Sequence, residues 1–213
     1  MDPAALKKVL SSGLKRVIEA EPTITHYDTI VGDGDCGVGL KRGAEAVLKL
    51  LESPYSRITD DAVNAVSQIV TVVENTMDGT SGAIYAIFIN ALAHGLRSQG
   101  QQQGSSSFLH VTSEVWSKAL SYAIVALHKY TPAKPGDRTL IDALDPFCRV
   151  LETTGDIHAA AKASEEAADG TKSLAPKLGR SVYVGGEENW FGKIPDPGAY
   201  GLAEFFEGLA AGV

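Results

Sequence analysis

Apolar residues return every three or four positions along nearly the whole of this chain, and proline, glycine and polar clusters interrupt them at intervals. That spacing buries one face of a helix and suits a sheet poorly. Leu6, Val9, Leu10, Leu14, Val17 and Ile18 make a first stripe, which Pro22 is expected to close. Leu40, Ala44, Val47, Leu48 and Leu51 make a second, stopped by Ser53-Pro54. Thr59 reads as the N-cap of a third helix, with Asp60 and Asp61 in its first turn and Val63, Val66, Ile69, Val70 and Val73 along its face. The run IVTVV would also suit a strand, but the 63, 66, 70, 73 spacing favours the helix.

Residues 81–96 are apolar on almost every side, so a fourth helix is expected near the middle of the packing. The polar run RSQGQQQGSSS (97–107) reads as a mobile connector. A fifth helix over about 108–129 carries Val115, Ala119, Tyr122, Ala126 and Leu127, and TPAKPGDRT then breaks the pattern. Leu140, Ile141, Leu144, Phe147 and Leu151 mark a sixth helix. Gly155-Asp156 opens an alanine-rich seventh that ends before Pro176, and residues 199–211 make an eighth with Leu202, Phe205, Phe206 and Leu209. Eight helices without a convincing strand define an all-α fold of antiparallel neighbours around one core, and 213 residues suit a single domain.

Between the first two stripes lies HYDTIVGDGDCGVG, with Asp28, Asp33 and Asp35 spaced by Gly32, Gly34 and Gly37. Three carboxylates on a glycine-rich loop repel one another unless a cation joins them, and magnesium, which takes hard oxygen ligands, leads the candidates. Gly32-x-Gly34-x-x-Gly37 meets the dinucleotide-binding spacing, but helices flank it and its aspartates would repel a bare pyrophosphate. Counted as an EF-hand from Asp33, the glutamate position falls on Ala44. The aspartates also suit a plain solvated cap for the second helix, since Asp-Gly pairs form ordinary turns. Both readings of the loop stand on spacing alone.

Thr80-Ser81-Gly82, directly after Asp78-Gly79, gathers hydroxyls and free backbone N–H groups at a positive helix end, an arrangement suited to an anion. Gly136-Asp137-Arg138-Thr139, Gly179-Arg180 and Asp196-Pro197-Gly198 are three further irregular, polar segments. Arg180 offers a planar fork to a phosphate, while Asp137 and Asp196 read as helix caps. His26 stands two residues from Asp28, and His94, His110, His128 and His158 show no metal or catalytic spacing. There is no Walker motif.

A net charge of −7 argues against nonspecific nucleic-acid binding. Two cysteines, Cys36 and Cys148, are too few for a zinc site and fit a reduced, cytoplasmic setting. No membrane span or secretion signal is evident, since no run of about 18 apolar residues occurs.

Taken in order, HYDTIVGDGDCGVGLKRG, DGTSGAIY, KPGDRTLIDAL and GRSVYVG…IPDPGA resemble the nucleotide-binding L domain of dihydroxyacetone kinases, the DhaL or DAK2 domain, over about residues 5–210. CGVG and GDRTLIDAL are most similar to the ATP-dependent eukaryotic, fungal enzymes, where this domain is the C-terminal half of a longer chain. The resemblance implies a barrel of eight antiparallel helices with the nucleotide at one end. It implies two magnesium ions on Asp28, Asp33 and Asp35, with Cys36, Gly37, Val38 and Gly39 along the ATP or ADP phosphates. Thr80 and Ser81 would contact phosphate, Leu140 and Thr131 the base, and Arg180, Asp196, Pro197 and Gly198 the rim. Asp78 departs from the family, which commonly has glycine there, and an added carboxylate near phosphate would weaken nucleotide binding or require fuller metal occupancy.

The resemblance also implies a partner, since dihydroxyacetone is held covalently on a separate K domain that these residues do not contain. Met1-Asp2 reads as the start of a subunit or of a dissected half. Phosphoryl transfer would then rest on positioning and charge neutralisation, with the aspartates as ligands and none as a base. Two other functions stay open: an ADP-carrying phosphotransfer subunit, and a non-enzymatic helical interaction domain. Some eukaryotic relatives also cyclise FAD at the same site.

Overall fold

The computed structural model describes residues 3–54, 61–102 and 111–213. Its long helices are α1 (Pro3–Val31), α2 (Cys36–Glu52), α3 (Ala62–Thr76), α4 (Gly79–Gln102), α5 (Ser113–Leu127), α6 (Ile141–Thr154) and α7 (Ile157–Gly170), followed by the one-turn α8 (Glu187–Trp190) and then α9 (Pro197–Gly212). No strand occurs among the described residues. Each long helix packs on the next in sequence, α7 packs on α9, and α9 packs on α1, so the eight long helices close into a ring. Successive members run antiparallel. The α1–α9 seam shows it directly, pairing Val9 with Gly212, Gly13 with Gly208 and Ile24 with Gly201.

The seam is close because glycine lines it. A Cβ on Gly208 would stand 2.6 Å from Gly13 Cα and 2.8 Å from Ser12 O, and one on Gly13 would stand 2.9 Å from Phe205 O. Arg16 ties the outer edge by donating from Nε to Glu204 at 2.7 Å. Inward-facing side chains, among them Leu14, Val47, Ile69, Phe88, Trp116 and Phe205, surround an apolar space of about 420 Å³ along the barrel axis. None of the described helices is long and apolar enough to cross a membrane.

Several boundaries differ from those expected. Pro22 does not close the first helix; α1 runs through it for another nine residues, to Val31. A mid-helix proline costs roughly 3 kcal/mol, but Val17, Ile24 and Val31 are all buried against α2 and α9 and hold the helix on course. Residues 97–102 continue α4 rather than forming a loop, and the remaining connector, with Thr59, Asp60, residues 108–110 and His110, lies outside the described residues. Asp61 caps α3, accepting from Asn64 N at 2.6 Å. The fourth helix is not central. It is a stave of the wall between α3 and α5, apolar all round because Tyr85, Phe88 and Leu92 line the interior while its flanks meet neighbours. Tyr122 points outward and stacks on His94 at 5.3 Å, and Ala123 and Ile124 take the buried positions.

Gly208→Ala is expected to wedge the seam apart and lower stability by about 1–3 kcal/mol, as overpacking does, measured by urea unfolding. Gly170→Ala is the control, because nothing stands within 4 Å of a Cβ at that helical position. It should be neutral or slightly stabilising.

Candidate functional site

With helices alternating in direction, the starts of α2, α4, α6 and α9 share one end of the barrel with the last turns of α1, α3, α5 and α7. Every connection singled out in the sequence for its chemistry falls at this end. The prolonged α1 changes how the aspartates are held. Asp28 is not on the loop but in the last turn of α1, buried, with Oδ2 accepting from Cys36 N at 2.9 Å. Gly34, at φ +82°, turns the chain back, and Asp33 and Asp35 are open to solvent. Asp35 occupies the N-cap position of α2 but makes no side-chain cap bond. The capping duty falls on Asp28, which leaves Asp33 and Asp35 free to face it.

One carboxylate oxygen from each of Asp28, Asp33 and Asp35 lies within 4.8 Å of the others. Asp35 is raised above the usual carboxylate range by desolvation first and then by repulsion from Asp33 and Asp28, with Arg180 opposing. Arg180 Nη2 meets Asp33 Oδ2 at 2.9 Å, so one guanidinium faces three acids. A hard divalent cation fits this donor set: oxygen ligands, a surplus of negative charge and two members accessible from solvent. His26 turns its ring to Tyr27 and is exposed, outside the carboxylate group. Burial and the four neighbouring aspartates push the Cys36 thiol far up, which keeps it neutral.

Gly37 starts α2 hard against α1, where a Cβ would stand 2.7 Å from Glu21 O, so Cys36, Gly37, Val38 and Gly39 form the first turn of α2 beside the aspartates. Thr80 and Ser81 begin α4 as expected, after Gly79 at φ +71°. Leu140 stands at the head of α6 and meets the start of α9, 3.5 Å from where a Gly198 Cβ would be. Asp196 caps α9 through Ala199 N at 2.8 Å, and Pro197 takes the first turn, where its missing N–H costs nothing. Asp137 does not cap α6. It accepts from Lys134 N at 2.9 Å and from Lys177 Nζ at 2.8 Å, closing its own turn. Thr131 stands apart in what it touches, its hydroxyl accepting from Ala133 N at 3.2 Å.

Sequence reading missed the residues that hold these segments in place. Arg138, wholly buried and at φ +60°, donates from Nη1 to Thr171 O at 2.5 Å and from Nη2 to Ile194 O at 2.8 Å. Its guanidinium carbon lies 4.7 Å from the centre of the buried Trp190 ring. Thr171 Oγ1 in turn accepts from Asp196 N at 2.7 Å. Asp142, also buried, takes Gly136 N at 2.5 Å and Thr139 N at 2.7 Å. Thr139-x-x-Asp142 is a capping-box spacing and was legible. The burial of Arg138 has no local signature.

Burial pushes Asp196 up to about 7, with Asp142 and Asp28 adding to the rise while Ala199 N–H and Arg138 oppose it. The folded chain therefore keeps this proton over a range in which the unfolded chain has released it. Its contribution to stability falls as pH rises from about 4 to about 7 and is flat above. In metal-free buffer, Asp196→Asn should remove that part of the decline between pH 5 and pH 8, measured as urea midpoints.

Comparison with known proteins places these observations. The DAK2 domain family matches residues 30–211. A dihydroxyacetone kinase of Pichia angusta is 46% identical over 212 residues, covering 97% of this chain and 34% of that protein. The crystal structure of the dihydroxyacetone kinase of C. freundii in its native form aligns with a TM-score of 0.76 at 25% identity, covering 99% of this chain and 35% of that one. The same enzyme in complex with AMP-PNP and Mg2+ aligns at 0.73 and 25% identity, over 98% of this chain and 34% of that one. The chain thus spans about a third of the length of the curated relatives it matches.

Proposed function

This chain belongs to the DAK2 domain family, and we propose that it forms the magnesium–nucleotide domain, about a third by length rather than half, of a dihydroxyacetone kinase, with the acceptor sugar held on a separate K domain. The observation that carries the reading is the convergence of the Asp28, Asp33 and Asp35 carboxylates within 4.8 Å at the barrel end where α2 and α4 begin. That a relative crystallises with AMP-PNP and Mg2+ supports it. A single domain over residues 1–213 and a cytoplasmic setting, consistent with free thiols at Cys36 and Cys148, belong to the same proposal.

In this reading Asp28, Asp33 and Asp35 hold two magnesium ions, which when bound neutralise charge on the β- and γ-phosphates of ATP. None of the three acts as a base. N–H groups in the first turns of α2 (Cys36, Gly37, Val38, Gly39) and α4, with the Thr80 and Ser81 hydroxyls, receive the phosphate oxygens where two helix dipoles end positive. Because these donors are fixed by helix starts, they need little rearrangement as charge develops on the transferred group. Leu140, Gly198 and Pro197 supply the apolar wall for the base, with Thr131 at its edge, and Arg180 and Asp196 complete the rim. Docking of the acceptor domain would exclude water from the open side.

Calorimetric titration with Mg-ADP tests this. The chain should bind with a 1:1 nucleotide stoichiometry, and Asp33→Asn or Asp35→Asn should weaken binding by at least about tenfold, the scale of one charge-assisted contact. Full affinity in both variants would remove the metal reading. The isolated chain should also fail to phosphorylate dihydroxyacetone until a K domain is added, and robust turnover without one would contradict the division of labour.

A further inference from the structure

The turn that delivers Thr80 and Ser81 is gripped by two consecutive residues of α2. Arg42 reaches across to it, donating from Nε to Thr76 O at 2.7 Å and from Nη2 to Asp78 Oδ2 at 2.7 Å. Thr76 ends α3, so its carbonyl is one of the unpaired acceptors at a negative helix end, where a cation is favoured. Beside Arg42, Gly43 admits Met77: a Cβ there would stand 2.6 Å from Met77 Sδ. From the far side Gly82 admits the same residue, since its Cβ would stand 2.5 Å from Met77 O. The turn over 76–79 is thus clamped between α2 and the first turn of α4.

We propose that Arg42 is a positioning residue of the nucleotide site, fixing the Thr80-Ser81 turn relative to the aspartates at the head of its own helix. The proposal rests on the nucleotide reading above and adds a residue that touches neither metal nor phosphate in it. It also reverses the expected role of Asp78. On sequence grounds that carboxylate would repel phosphate; in the structure it is the anchor for Arg42, and the pair carries no net charge.

Signs separate the two roles. If Asp78 merely repels phosphate, Asp78→Asn tightens Mg-ADP binding; if it anchors the clamp, the same change weakens it. Calorimetry on the full chain should show Asp78→Asn weaker by about threefold and Arg42→Ala weaker by about tenfold, the latter near the worth of one charge-assisted hydrogen bond. Arg42→Lys should recover affinity in part, because an ammonium lacks the planar fork that meets both acceptors. Binding of Mg2+ alone and the thermal midpoint should stay near wild type in all three. Tighter or unchanged Mg-ADP binding in Asp78→Asn overturns the proposal, as does a loss in Arg42→Ala matched by equal loss of Mg2+ binding. Absence of Mg-ADP binding in the unaltered chain would instead remove the nucleotide reading itself.

Discussion

A guanidinium held in the interior without an ion pair among the described residues governs one end of this barrel. Burial lowers the proton affinity of Arg138, and Asp196 only partly offsets that. Charge in such a place is tolerated when carbonyls and an aromatic face replace water. Thr171, Leu174, Ile194 and Trp190 do so, and each belongs to the irregular stretch between α7 and α9. That stretch buries Trp190 but leaves Val182, Tyr183 and Phe191 exposed. Hung on Arg138, it delivers Arg180 toward Asp33 and brings Asp196 to the head of α9.

The alternation of helix direction does the rest. Eight staves in a closed ring bring four N-termini to one rim, and two of the connections there are short: four residues between α1 and α2, two between α3 and α4. Short connections leave little room for error in where a side chain lands. Asp28 is more constrained still, since the helix that carries it is anchored by the buried Val17, Ile24 and Val31. The result is a rim where two rigid helix starts face a cluster of acids, and where cations and anions each find partners.

Much of this was legible in the sequence, for a reason that also marks the limit. Periodic stripes such as Val63, Val66, Val70 and Val73 are local, and so were the turns at Asp28–Gly37, Thr80–Gly82 and Asp196–Gly198. What escaped depended on distant neighbours. Pro22 looked like a stop because the burial that overrides it comes from α2 and α9. Tyr122 looked inward because its hydrophobicity says nothing of a stacking partner on α4. Nothing near Arg138 or Arg42 in the sequence marks their roles, because their acceptors lie more than 30 residues away. Asp137 resembled a cap because its own turn and the cap position are adjacent, and Asp142 took the part.

The glycine-lined seam between α1 and α9 has a kinetic consequence. It joins residues nearly 200 positions apart, Gly13 with Gly208, so the ring closes through its most nonlocal contacts, the kind that form slowly because loop closure precedes their reward. Asp28 rides on one side of that seam and Asp196 on the other. A chain with seven staves assembled and the seam open therefore has most of its helix content but not its rim. A ligand that binds the rim and touches both sides of the seam would hold these two helices together and so favour the closed ring.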